Sequence, residues 1–275
     1  MTRRLFCDLG PTAYKISVFK CAVIKRTKDL FSGIKFAKKR SFAPLPHLVY
    51  KNKSLILRKL GNVDMSLQEG KKVNLTLAAP KINGITVAPG ETFSFWRTVG
   101  KTGKKQGYQN GLIIYRGGET RPGIGGGMCQ FSNLIHWLVL HSPLEITEHH
   151  HHDGVDLFPD YGRQIPFGTG TSISEPHVDY RFKNNTGVTF QLITYVDGEY
   201  LCGELRASQP LSESYHIYVA DEFFTDEKDG VYRNNEIYRE VIDKKTGNRV
   251  ENVLLRKNHA KINYDRSFVE DKIRN

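Results

Sequence analysis

Residues 125–140 read GGGMCQFSNLIHWLVL. Three glycines lead into Met128, Cys129 and Gln130, after which apolar residues recur at Phe131, Leu134, Ile135, Leu138 and Val139. Steps of three and four residues predict an amphipathic helix over Met128–His141, closed by Pro143. The glycine run admits two readings: a tight turn, or a backbone that something must approach closely to reach a thiol. At the start of a helix, Cys129 would lie among unpaired N–H groups at the positive end of the dipole, which favours thiolate over thiol. Gly125, Gly126 and Gly127 would offer backbone donors to an oxyanion, and Gln130 a side-chain donor.

Outward from this helix the texture is that of strands. VNLTLAAP (73–80) alternates at Val73, Leu75 and Leu77, and ITVAPGETFSFW (85–96) places a Pro-Gly turn between two extended runs, which predicts a hairpin. GLIIYRGGET (111–120) supplies another short strand. Downstream, residues 177–205 alternate through an NNTG and an Asp-Gly turn, predicting a three-strand antiparallel meander. Past residue 210 the chain is charge-rich, and 236–255 predict a hairpin about KTGN. The expected class is α+β: the helix beginning near Cys129 packed on an antiparallel sheet. The expected division is a basic, partly helical segment (1–60), an α+β core (61–210) and a charged extension packed on it (211–275).

The 275 residues carry a net charge of +11. Residues 1–60 hold a net +13, so the rest is close to neutral. A basic head points to an anionic partner such as a membrane surface; no nucleic-acid-binding motif accompanies the charge, so nucleic acid is not expected. Lys25–Arg40 spaces Leu30, Phe31, Ile34 and Ala37 as an amphipathic helix interrupted by Gly33. No run of 18 apolar residues and no secretory signal is legible, which favours the cytoplasm. Four scattered cysteines, Cys7, Cys21, Cys129 and Cys202, form no CxxC pair and no disulfide framework. No nucleotide-binding glycine motif, GxSxG or HExxH is present, and no cofactor is expected.

A thiolate nucleophile needs a histidine near it in space. Residues 148–153, EHHHHD, offer His149, His150, His151 and His152, flanked by Glu148 and Asp153, with Asp156 beyond. In an extended segment alternate histidines face opposite ways, so a one-residue slip decides which one meets Cys129. A metal reading competes, but the cluster lacks zinc-ligand spacing and no metal site is assigned.

Taken together, PGETFSFWRTVGKTGKKQGYQNGLIIYRGG (89–118), GIGGGMCQFSN (123–133), EHHHHD, PFGTG (166–170) and DYRFKNNTGVTFQL (179–192) resemble the VanW family in order and spacing. The resemblance implies a link to glycopeptide resistance and the cell envelope. It also implies peptidoglycan L,D-transpeptidase chemistry, in which the cysteine of GGGxCQ is the nucleophile. By position that makes Cys129 the nucleophile, His152 its base, and Glu148 or Asp179 the group orienting the base. The implied partner is a peptidoglycan precursor or muropeptide. The family commonly has Glu-Arg where this chain has Glu148-His149, a titratable group in place of a fixed cation. A non-catalytic accessory protein, binding a precursor or an anionic membrane through residues 1–60, is the alternative.

Overall fold

A computed structural model describes residues 5–58, 65–114, 119–151, 154–160 and 165–274. In chain order the first elements are α1 (Pro11–Phe31), β1 (Lys35–Phe36), β2 (His47–Leu55), α2 (Met65–Ile82), β3 (Ile85–Val87), β4 (Glu91–Ser94) and α3 (Phe95–Val99). The hairpin β5 (Asn110–Ile114) and β6 (Thr120–Ile124) leads into α4 (Met128–Leu140), then β7 (Glu145–Glu148) and β8 (Val155–Asp156). The remainder is β9 (Arg181–Lys183), β10 (Phe190–Asp197), β11 (Tyr200–Ala207), β12 (Glu213–Glu227), β13 (Gly230–Asp243), β14 (Arg249–Ile262) and β15 (Ile273–Arg274).

The α+β class holds. One sheet has the order β2-β11-β10-β3 and a second β1-β4-β9-β7. Helix α4 forms where its spacing predicts, and Phe131, Leu134, Ile135, Leu138 and Val139 are all buried in the main core. It lies close over β11: a Cβ at Gly203 would stand 3.0 Å from Leu138 Cδ1 and 3.1 Å from Leu134 Cδ2. Burying side chains of this size contributes about 1.5–3 kcal/mol each.

Several local expectations are corrected. VNLTLAAP is not a strand but the second half of α2. Its buried positions include Gln68, Lys71, Asn74, Leu75, Ala78, Ala79 and Ile82, which step by three and four. Polar residues on the inner face hid the helical period, and the chance alternation of Val73, Leu75 and Leu77 imitated a strand. The Pro-Gly turn joins two strands that part into different sheets: β3 pairs with β10, and β4 with β9 and β1. Of the predicted meander, β10 and β11 pair antiparallel, whereas β9 lies between β4 and β7. Helix α1 ends at Phe31, so Ile34 and Ala37 follow it rather than extend it; Gly33, with φ +67, marks the exit.

Past residue 210 the chain forms more than a hairpin: β12, β13 and β14 pair in succession, and β14 takes β8 as a parallel neighbour. The β13–β14 turn is the KTGN segment, held by Asp243 accepting from the Thr246 N–H at 2.7 Å and its hydroxyl at 2.9 Å. This sheet has a small core of its own, Phe224, Val231, Ile262 and Val269. Beside it Arg233 is buried against Asp156, Asp160 and Glu222. No helix among the described residues is long and apolar enough to cross a membrane.

Candidate functional site

The glycine run is the hinge between the β5–β6 hairpin and α4. Gly125 N–H donates to Gln109 O at 3.0 Å and Gly126 N–H to Gly123 O at 3.2 Å. From α2, Asn74 fixes the turn: its Nδ2 donates to Gln109 O (3.0 Å) and Gly126 O (2.9 Å), while its Oδ1 accepts from Gln109 N–H (2.8 Å). At Gly126 a Cβ would fall 2.3 Å from the Gly111 carbonyl carbon, so only glycine lets the hairpin and the turn approach this closely. Gly127 is the N-cap of α4, with φ +107 and no side-chain cap on the helix end.

Cys129 therefore stands in the first turn of α4, half-buried, on a groove of about 1650 Å³ that Gly125, Gly126, Gly127 and Gln130 also line. Its Sγ–H donates to Ile173 O at 3.7 Å. Burial pushes the thiol above its ordinary range, and the Ile173 contact only partly offsets it. The thiol is thus raised where the helix start led to expect it lowered, and desolvation of the thiolate is the larger cause.

The other expected residues are placed as follows. Gln130 Nε2 donates to Ser54 Oγ and Leu55 O, both at 2.8 Å, so its amide ties α4 to β2. Asp179 is buried and accepts four times: from Ser94 Oγ (2.5 Å), the Trp96 N–H (3.0 Å), the Tyr180 N–H (2.9 Å) and Arg181 Nε (2.9 Å). Glu148 pairs with Lys25, accepts from His150 Nε2 at 3.2 Å and the Asp179 N–H at 3.1 Å, and lies 3.2 Å from Arg181 Nε. Burial raises the Glu148 carboxyl, but Lys25, His150 and the Asp179 N–H together hold it below the usual carboxylate range. Arg181 also grips Asp29 with two hydrogen bonds, at 2.6 and 2.7 Å. Neither Glu148 nor Asp179 lines the groove. Their network docks α1, which brings Lys25 and Asp29, onto β7 and β9.

His152 lies outside the described residues, as does Asp153. His149 donates from Nε2 to Gly170 O at 3.2 Å and packs its ring 4.2 Å from that of His136 and 3.8 Å from that of His151. His136 is buried, bonded to Tyr180 Oη at 3.1 Å, and held well below its ordinary pKa by burial and then by His149 and His151. Among the described histidines, His151, His177 and His259 line the groove with Cys129. Among the described residues no group of three or more His, Cys, Asp or Glu side chains is arranged to hold a metal ion.

Two residues at the groove were not singled out from sequence. His177 has a buried Nδ1 with no hydrogen-bond partner, and it follows the Ser172–Glu175 stretch that carries Ile173. A lone histidine in a loop gives no sequence signal. Lys71 is 5% exposed, lines the groove, and has no hydrogen bond or ion pair among the described residues. Burial, with the like charge of Arg58 behind it, pulls its ammonium down to about 7. Lys71 gave no sequence signal either, because polar residues on the inner face of α2 hide its helical period.

Comparison with known proteins follows the same residues. The family model described as "VanW like protein" matches residues 70–206, from α2 to the end of β11. The Vancomycin B-type resistance protein VanW of Enterococcus faecalis (strain ATCC 700802 / V583) is 34% identical over 234 residues, covering 85% of this chain and 84% of that protein. The uncharacterized protein YoaR of Bacillus subtilis (strain 168) is 32% identical over 122 residues, covering 43% of this chain and 37% of that one. No solved structure matches the chain. The matched segment begins in α2 and holds Lys71, Asn74, the glycine hinge, Cys129 and the histidine run, and with similarity across most of a full-length relative the chain belongs to the VanW family.

Proposed function

We propose that this chain is an accessory protein of vancomycin-type resistance, and that it acts as a thiol acyltransferase on peptidoglycan-type peptides. The first part rests on the extent of its similarity to the Enterococcus faecalis resistance protein. The second rests on one observation: Cys129 stands in the uncapped first turn of α4, on a groove large enough for a peptide. Sγ attacks a peptide carbonyl, its proton passes to a groove histidine and on to the departing amine, and a thioester forms. A second amine then attacks and the thiol is regenerated; water in its place gives hydrolysis. The expected base, His152, is joined as a candidate by the groove histidines His151, His177 and His259. Oxyanion donors come from the N–H groups of the first turn of α4, since Gln130 is engaged with β2.

The test is mass-spectrometric trapping of a Cys129 thioester with tetrapeptide and pentapeptide muropeptides, with Cys129→Ala as the blank. An acyl adduct on the Cys129 peptide is expected. Its absence across both stems would overturn the acyltransferase reading.

A second reading has its own observation. Helix α1 buries no residue and exposes Ile16, Phe19, Val23, Ile24, Leu30 and Phe31 among Lys15, Lys20, Arg26 and Lys28. That combination suits attachment to an anionic lipid surface. Co-sedimentation with phosphatidylglycerol vesicles in preference to phosphatidylcholine at low salt is expected, and equal sedimentation would remove it.

A further inference from the structure

We propose that Lys71 and the open first turn of α4 together form a carboxylate-binding site beside Cys129. The inference deepens the reading of the groove as a substrate site and does not require that acyl transfer occur there.

Four observations meet at this point. Lys71 is buried, on the groove wall, and unpartnered among the described residues, whereas a buried ammonium is ordinarily paired. Its stem lies against the N-cap of α4: a Cβ at Gly127 would stand 2.4 Å from Lys71 Cγ. That helix end carries no side-chain cap, so its first N–H groups and the positive end of its dipole are left for a ligand. Asn74, three residues after Lys71 on α2, donates to the Gly126 carbonyl at 2.9 Å, so that acceptor of the turn is already engaged.

Among the described residues the charge acting on Lys71 is that of Arg58, also positive, so no described acid compensates this cation. Glu175, an acid on the groove, is engaged by the Thr102 N–H at 3.0 Å and the Thr102 hydroxyl at 3.1 Å. One ammonium and one helix end match a monoanion. The ligand class is an acyl compound with a carboxylate a few bonds from the carbonyl that meets Cys129, such as the C-terminal end of a short peptide.

The probe is a pair of alkylating agents with one warhead and different charge, iodoacetate and iodoacetamide, applied to the full chain carrying Cys7→Ser, Cys21→Ser and Cys202→Ser. Both react with the same thiolate, so their rate ratio cancels thiol ionisation and reports the local field. At pH 6 the iodoacetate-to-iodoacetamide ratio at Cys129 is expected to exceed that of glutathione by about tenfold, the scale of one partly buried charge interaction. Lys71→Met is expected to bring it most of the way to the glutathione value, the helix end accounting for the remainder. A second measurement needs no variant at Lys71: acetate slows iodoacetamide labelling of Cys129, and acetamide at equal concentration and ionic strength does not. A ratio equal to that of glutathione, a ratio unmoved by Lys71→Met, or equal protection by acetate and acetamide would each overturn the carboxylate site. A thioester formed without any charge preference would sink this inference alone. A charge preference without a thioester would sink the acyltransferase reading alone.

Discussion

Replacing Lys71 by methionine removes an amine that the fold largely desolvates and that has no hydrogen-bond partner among the described residues, and the consequence depends on pH. In the unfolded chain the group titrates at 10.5, and in the folded protein at about 7. The folded value is depressed, so below it the native state carries a buried ammonium at its full cost. That cost is about 5 kcal/mol at 1.36 kcal/mol per pKa unit. Between the two values the unfolded chain binds the extra proton, and stability rises with pH. From pH 9 to pH 6 the wild type therefore loses about 2.5 kcal/mol through this one group, and Lys71→Met does not. Every other titrating group is common to both proteins, so the difference between their stability profiles isolates Lys71. Urea unfolding of both chains at pH 6, 7.5 and 9 measures it. The stability of the variant relative to wild type is expected to swing in its favour by about 2.5 kcal/mol towards pH 6. A difference constant over that range would refute the depressed lysine, and with it the picture of an uncompensated cation beside the glycine hinge.

Alkylation of Cys129 by iodoacetamide, in the chain whose other cysteines are serine, is expected to titrate above the ordinary thiol range because burial disfavours the thiolate; a midpoint below about 8.5 would contradict it. Asp29→Asn breaks the grip of Arg181 on α1 and is expected to speed limited proteolysis within residues 11–31 severalfold, with the core unaffected. The Asp29 and Glu148 carboxyls are both held low: burial raises each, but Arg181 for Asp29 and Lys25 for Glu148 outweigh it. The docking of α1 is thus complete above the ordinary carboxylate range of about 4 and lost as pH falls through the lowered values, so acid is expected to mimic Asp29→Asn in the same proteolysis assay. Asn74→Ala leaves the Gln109 N–H and the Gln109 and Gly126 carbonyls without their partner, which costs about 1–3 kcal/mol per buried group. Thermal unfolding measures the loss, and an unchanged melting temperature would show that the hinge is held by something else.

Much of the fold around Cys129 was legible because local rules acted alone there. The three–four spacing of Phe131 to Val139 defined α4, and the Asp-Gly and KTGN turns defined the β10–β11 and β13–β14 pairs. Helix α2 was misread because its inner face carries Gln68, Lys71 and Asn74, polar residues whose burial no periodicity count anticipates. The separation of β3 from β4, and of β9 from β10, was equally hidden, since strand partners far apart in sequence are chosen by packing.

By itself the sequence determined the element around Cys129: a glycine hinge, a cysteine two residues past its last glycine, and the helix that carries that cysteine against the core. It also determined the family, through motifs whose order survives without coordinates. Only the tertiary structure decided what surrounds the thiol. It engaged Gln130 with β2, turned Glu148 and Asp179 to the docking of α1, and brought Lys71 from α2 and His177 from a distant loop to the groove. The reason is physical. A helix start is fixed by interactions within a few residues, whereas the charge and burial that set a group's chemistry come from neighbours the chain supplies from tens of positions away.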